Sequence, residues 1–134
     1  MAPTNPSRNI SVLVVDDNPE TREILERYLG DEGFDVIQAT DGIDALSYMY
    51  ATKPSMVLID LMMPRMNGLE LIAQLRHERA FADIPVVAMS GSPEMLPRAT
   101  AAGANDVLCK PVEPGVVLST LLRHGRPKKR PASS

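Results

Sequence analysis

Five short apolar runs punctuate the chain: Ser11–Val15 (SVLVV), Phe34–Ala39 (FDVIQA), Met56–Ile59 (MVLI), Val86–Met89 (VVAM) and Val107–Cys109 (VLC). Four of them are nearly all apolar, the pattern of strands covered on both faces. The second alternates, which places it nearer the edge of a sheet. Between the runs, apolar residues recur at helical spacing. Ile24, Leu25, Tyr28 and Leu29 share one stripe, with Gly30 or Gly33 as its stop. Asp41 is placed to cap a second helix whose Ala45, Leu46 and Met49 face inward. Leu71, Ile72 and Leu75 mark a third helix, and Met95 to Ala102 a fourth interrupted by Pro97. Val117, Leu118, Leu121 and Leu122 mark a fifth, entered through Pro114. Five β-α units in strict alternation predict an α/β domain: a parallel sheet, right-handed crossovers and helices on both faces.

Composition narrows the class. The chain has 134 residues, one domain's worth, and 44% of them are hydrophobic, enough for one core. With 23% charged residues and a net charge of −3, disorder is not the default. Cys109 stands alone, so a disulfide scaffold is excluded. No apolar run approaches the roughly 20 residues of a membrane span, and MAPTNPSRN at the start lacks a hydrophobic signal segment. The expectation is a soluble, cytoplasmic protein. Pro- and Asn-containing residues 1–9 read as a flexible extension, 10–125 as the domain, and 126–134 as a flexible basic tail. That tail holds four of the 14 basic residues and leaves the rest with 10 basic against 17 acidic, a net of −7. So acidic a body does not suit duplex DNA, and no helix-turn-helix segment is available. The tail itself reads as solvated.

The residues that follow the runs carry the chemistry. Asp16 and Asp17 follow the first, Asp60 the third, Ser90 the fourth and Lys110 the fifth. In an open parallel sheet these are the carboxyl ends of the strands, where ligand sites form. Singly, each has a plain structural reading: Asp16 or Asp17 as cap of the first helix, Ser90 as cap of the fourth, Lys110 as a loop lysine. Jointly those readings fail. Three converging carboxylates repel one another by a few kcal/mol per close pair at an effective dielectric of about 20, and a hard divalent cation together with Lys110 would offset this.

The chain resembles the receiver domains of two-component response regulators, especially the stand-alone single-domain kind known from chemotaxis and the sporulation phosphorelay. The resemblance rests on VVDDN at 14–18, LIDLMMPRMNG at 58–68, AMSGS at 88–92, GAND at 103–106 and CKP at 109–111, and runs from about Asn9 to Leu122. It implies a flavodoxin-like, doubly wound five-stranded parallel sheet of order 2-1-3-4-5 with five helices. It also implies that Asp60 accepts a phosphoryl group from a phosphohistidine on a sensor histidine kinase or a histidine phosphotransfer protein. Mg²⁺ would be held by Asp17, Asp60 and the backbone carbonyl of Met62, with Asp16 acting through water. Lys110 and Ser90 would bind phosphoryl oxygens, Gly91 would let the loop after Ser90 move, and Lys110–Pro111 is a candidate cis bond. Such a protein is a signalling phosphoacceptor that catalyses only its own phosphorylation and dephosphorylation. Its output would be protein–protein contact with a downstream partner.

Three features depart from the family pattern. Val107 stands where relatives usually carry a switch aromatic, the Ser90-to-Lys110 interval of 20 residues is about two shorter than expected, and Ser90 replaces the commoner threonine. With Pro97 inside it, the fourth helix is expected to be short or displaced. Met62, Met63 and Met66 read as packing residues, Cys109 as a small core residue, and His77 and His124 as solvated. Val116, Val117, Leu118, Leu121 and Leu122 offer more apolar surface than one stripe needs, which suits docking to a second copy. Two alternatives stand beside the receiver reading. A pseudo-receiver would bind without carrying phosphate. A haloacid-dehalogenase-type hydrolase needs a DxD motif after the first strand and acids after the lysine, neither of which this order of residues provides.

Overall fold

A computed structural model describes residues 10–127. The N-terminal extension and the tail beyond Pro127 lie outside the described residues. Strands β1 (Ser11–Val15), β2 (Asp35–Ala39), β3 (Met56–Asp60), β4 (Val86–Ser90) and β5 (Asp106–Cys109) alternate with helices α1 (Pro19–Asp31), α2 (Gly42–Thr52), α3 (Gly68–His77), α4 (Met95–Ala102) and α5 (Pro114–Leu122). All four strand pairings are parallel, in the order β2-β1-β3-β4-β5.

Strand alternation divides the interior into two cores. Val12, Val14, Leu58, Val87 and Met89 face Leu25 and Leu29 of α1 and Val117 and Leu121 of α5. Leu13, Val15, Val57, Ile59 and Ala88 face α2, α3 and α4 through Ala45, Met49, Leu71, Ile72, Leu75 and Ala99. Because β1, β3 and β4 are clad on both sides, every residue after Ser11 in β1 and every residue of β3 and β4 is buried. β2 is an edge strand, as its alternation predicts.

Several expectations are corrected by the packing. β5 is the other edge strand, and its residues are half-buried or, at Cys109, exposed. A run of three apolar residues suits an edge as well as a centre, and Cys109 is therefore no core residue. On α1 only Leu25 and Leu29 are buried; Ile24 and Tyr28 point outward. Asn18, not Asp16 or Asp17, caps α1: its Oδ1 accepts the Glu20 N–H at 2.9 Å, and Pro19 opens the helix, where a missing N–H costs nothing. Ser90 does not cap α4, whose N-cap position is Glu94 and which has no side-chain cap bond. Met63 and Met66 pack on the α2–α4 core, but Met62 is 58% exposed. His77 is exposed, whereas His124 is half-buried and lies 2.5 Å from Asp106 Oδ2, with Arg123 on Oδ1 at 2.9 Å. Burial alone would raise the Asp106 pKa, but the bonds from His124 and Arg123 outweigh it and hold the carboxyl below its ordinary value. Asp41 does cap α2, accepting the Asp44 N–H at 2.8 Å. α4 has 8 residues, the shortest of the five helices, and Pro97 falls in its first turn, where the lost N–H breaks no helical bond.

Candidate functional site

Strand register brings the polar residues to one level. Val15 pairs with Ile59, Asp60 with Met89 and Ser90 with Cys109. Asp16 therefore leaves β1 beside Asp60, the last residue of β3, while Ser90 on β4 lies one step beyond that level and Lys110, just past β5, two steps. Backbone bonds continue past the strands: Leu61 N–H donates to the Met89 carbonyl at 2.9 Å and Lys110 N–H to the Ser90 carbonyl at 2.8 Å. The site thus stands on stiff strand ends.

Lys110 Nζ bridges two carboxylates, 3.3 Å from Asp60 Oδ2 and 3.4 Å from Asp16 Oδ2. Each acid is held at its other oxygen by a main-chain N–H: Asn18 N–H donates to Asp16 Oδ1 at 2.9 Å, and Met62 N–H to Asp60 Oδ1 at 3.1 Å. Asp16 and Asp60 are buried, while Asp17 is exposed at the rim. Ligating oxygens of Asp16, Asp17 and Asp60 lie within 4.8 Å of one another. A compact set of carboxylate oxygens fits a hard divalent cation such as Mg²⁺, which takes oxygen ligands in octahedral geometry and keeps several waters.

Burial pushes the Asp60 carboxyl above its ordinary pKa; the Met62 N–H opposes this, the Asp16 charge adds to it, and Lys110 opposes it again. For Lys110 the balance runs the other way. Burial favours the neutral amine, but the charges of Asp60 and Asp16 prevail and raise its pKa. Ser90 is fully buried, its Oγ accepting the Ser92 N–H at 3.0 Å. Gly91 is exposed and unobstructed; the nearest atom to an added Cβ would be Lys110 Cβ at 4.0 Å. Lys110–Pro111 is a cis peptide. Val107 is half-buried against the α4 side of the sheet.

Side chains beyond the strand ends also shape the site. Arg22 reaches from α1 to donate to the Asp16 carbonyl at 2.6 Å. Asp41 forms an ion pair with Arg65, which adopts the left-handed backbone region at φ 66°. Gly68 admits α3 against the end of β3: a Cβ there would meet Leu61 Cα at 2.7 Å and the Asp60 carbonyl at 2.9 Å. Gly68 closes the LIDLMMPRMNG stretch at 58–68 that carries the resemblance. Beside Lys110, a groove of about 540 Å³ opens between α1 and the β5–α5 connection, lined by Ile24, Gly91, Pro111, Val112 and Val117.

Comparison with known proteins agrees with this arrangement. The family model described as the response regulator receiver domain matches residues 12–122. PilG of Pseudomonas aeruginosa is 32% identical over 120 residues, covering 88% of this chain and 89% of PilG. The response regulator MprA of Mycobacterium sp. strain KMS is 36% identical over 129 residues, covering 92% of this chain but only 55% of MprA. The chain thus spans about half of MprA and nearly all of PilG. Among solved structures, chemotaxis protein CheY4 of Vibrio cholerae superposes with a TM-score of 0.82 at 31% identity, covering 87% of this chain and 99% of that one. Sheet order, the acidic edge and the match over 12–122 lead to one conclusion: the chain belongs to the response regulator receiver domain family of two-component systems.

Proposed function

We propose that this protein works as a cytoplasmic single-domain response regulator whose phosphoacceptor is Asp60. A carboxylate oxygen of Asp60 attacks the phosphorus of a phosphohistidine on a sensor histidine kinase or phosphotransfer protein. The P–N bond breaks as the P–O bond forms, and the imidazole leaves with a proton. Asp16, Asp17, Asp60 and the Met62 carbonyl would hold Mg²⁺, which when bound neutralises charge on the transferring group. Lys110, already 3.3 Å from Asp60, pairs with a phosphoryl oxygen. The Ser90 Oγ accepts from Ser92 and keeps its own proton to donate to another. Water attack on the same acyl phosphate returns free Asp60, so the only chemistry is the protein's own phosphorylation and dephosphorylation. The groove beside Lys110 gives the donor a docking face.

Phosphorylation adds about −1.5 to −2 charges and three acceptor oxygens. Ser90 and the Gly91 loop turn inward, and the face of α4, β5 and α5 repacks for a downstream protein or a second copy. Val107 takes part by packing, since it has no ring to rotate. One observation carries this reading: a single ammonium within 3.4 Å of two buried carboxylates, with a third acid completing an oxygen set. The test is intact mass after incubation with Mg²⁺ and acetyl phosphate. A phosphoryl-sized gain that disappears in Asp60→Asn and with chelator is expected. No adduct, together with no binding of beryllofluoride, overturns it in favour of a pseudo-receiver that binds through a constant surface.

A further inference from the structure

Arg76, near the end of α3, donates from all three of its guanidinium nitrogens to groups from separate stretches of chain. Nε donates to the Gly103 carbonyl at 2.9 Å, and Nη2 to Asn105 Oδ1 at 2.8 Å. Nη1 donates to the carbonyls of Ile84 at 2.9 Å, Ala82 at 3.1 Å and, more weakly, Phe81 at 3.4 Å. Asn105 extends the network: its Oδ1 also accepts the Val86 N–H at 2.8 Å, and its own N–H donates to the Val86 carbonyl at 2.8 Å. Only a planar guanidinium presents five donors in this fan. The end of α4, the start of β4 and the lead into β5 therefore meet at one side chain. Gly103 makes room for it. At φ 125° it favours glycine, and a Cβ would sit 2.5 Å from Arg76 Cγ.

The opposite end of α4 is bonded within its own loop, Ser92 N–H donating to Ser90 Oγ at 3.0 Å and Ser92 Oγ to Glu94 Oε2 at 2.8 Å, and touches the core through half-buried Met95. Its first turn lacks a side-chain cap, Gly91, Pro93 and Glu94 are exposed, and Ala99 is the helix's one buried residue. That locally held end adjoins Ser90 and Gly91; the end clamped by Arg76 lies by the start of β4, a strand length away.

We propose that Arg76 is a positioning residue that fixes the pivot of α4 at Gly103, so that the helix answers the site by swinging its Ser90 end. What the swing answers to rests on the phosphoacceptor reading; the pivot itself does not. Amide hydrogen exchange of the full chain, free of ligand, tests the pivot. Segment 101–106 is expected to be protected about tenfold or more over segment 92–98. Arg76→Gln is expected to speed exchange of 101–106 by about tenfold relative to the β1 segment 12–15, the loss of a few modest bonds. Gly103→Ala, which displaces the same side chain from the other direction, should reproduce that pattern, and Arg76→Lys should fall between. Equal protection at both ends of α4, or variants that accelerate 101–106 no more than 12–15, would overturn the pivot. A second arm adds beryllofluoride and Mg²⁺. Slowed exchange confined to 92–98 in the native protein, spreading to 101–106 in Arg76→Gln, is expected. If the ligand changes nothing while the unliganded asymmetry and variant effects hold, the phosphoacceptor reading fails and the pivot stands.

Discussion

Lys110→Met keeps an unbranched apolar stem, one atom shorter, and removes the ammonium. The ammonium lies 3.4 Å from Asp16 and 3.3 Å from Asp60, whose side chains are 0% and 7% exposed, while its own is 32% exposed. Each contact corresponds to an attraction of about 5 kcal/mol at an effective dielectric of 20. Solvent reaching the ammonium screens part of that, and the amine's own desolvation offsets more. A net loss of about 2 kcal/mol at neutral pH remains, with two buried carboxylates left facing each other. In urea, that lowers the midpoint by roughly 1 M at a typical slope. The pH dependence fixes the cause. Lys110 pulls the Asp60 pKa down against burial, so without it the carboxyl rises further. A carboxyl raised in the folded state is stabilising only while protonated, and that stability is lost as pH climbs through its folded pKa. The variant's deficit should therefore be full at pH 7 and shrink on acidification into the carboxylate range near pH 4. Mg²⁺ should recover much of it, because binding to the native acids adds stability by mass action. Urea titrations at both pH values, with and without Mg²⁺, are the assay. An unchanged midpoint at neutral pH, or an equal deficit at both, would refute the electrostatic account.

Asp60→Asn should stabilise the metal-free protein at pH 7 by about 1 kcal/mol, since it removes a buried charge beside Asp16; the gain should vanish in thermal melts below the ordinary carboxylate range. Asp41→Ala removes both the α2 cap and the Arg65 partner and should cost about 1–2 kcal/mol. The Asp44 N–H, opposed by burial and helped by Arg65, holds the Asp41 pKa low. Its contribution is thus present above the ordinary carboxylate pKa and lost as pH falls through the lowered one, which melts at about pH 6 and pH 3 would register. Gly68→Ala forces a methyl onto the Asp60–Leu61 backbone and should cost roughly 1–3 kcal/mol. By calorimetry it should also weaken Mg²⁺ binding, because the strained segment carries Asp60 and Met62.

What could be read in advance followed from local pattern. β1 and α4 have their expected bounds because a buried run and a helical stripe are complete within themselves. Asp16, Asp60, Ser90 and Lys110 stand out because each ends a strand or directly follows one, and parallel register does the rest. Long-range partnership was not legible. His124 reads as solvated until α5 returns it to Asp106 on β5, and Cys109 reads as core until β5 proves to be the edge. Arg76 carries no signal at all, since four of its five acceptors are main-chain carbonyls. Asn18 before Pro19 was a readable cap, overshadowed by the two acids preceding it.

The exposed thiol at the end of β5 also gives the molecule a built-in optical handle. Cys109 is the chain's one cysteine, it is open to solvent, and it directly precedes Lys110. A maleimide dye would therefore attach at a single position without any substitution. Seated on an edge strand beside the bridging lysine, the dye would sample the polarity of the surface that the fourth and fifth helices frame. Fluorescence from wild-type sequence could then follow occupancy of the acidic edge in real time.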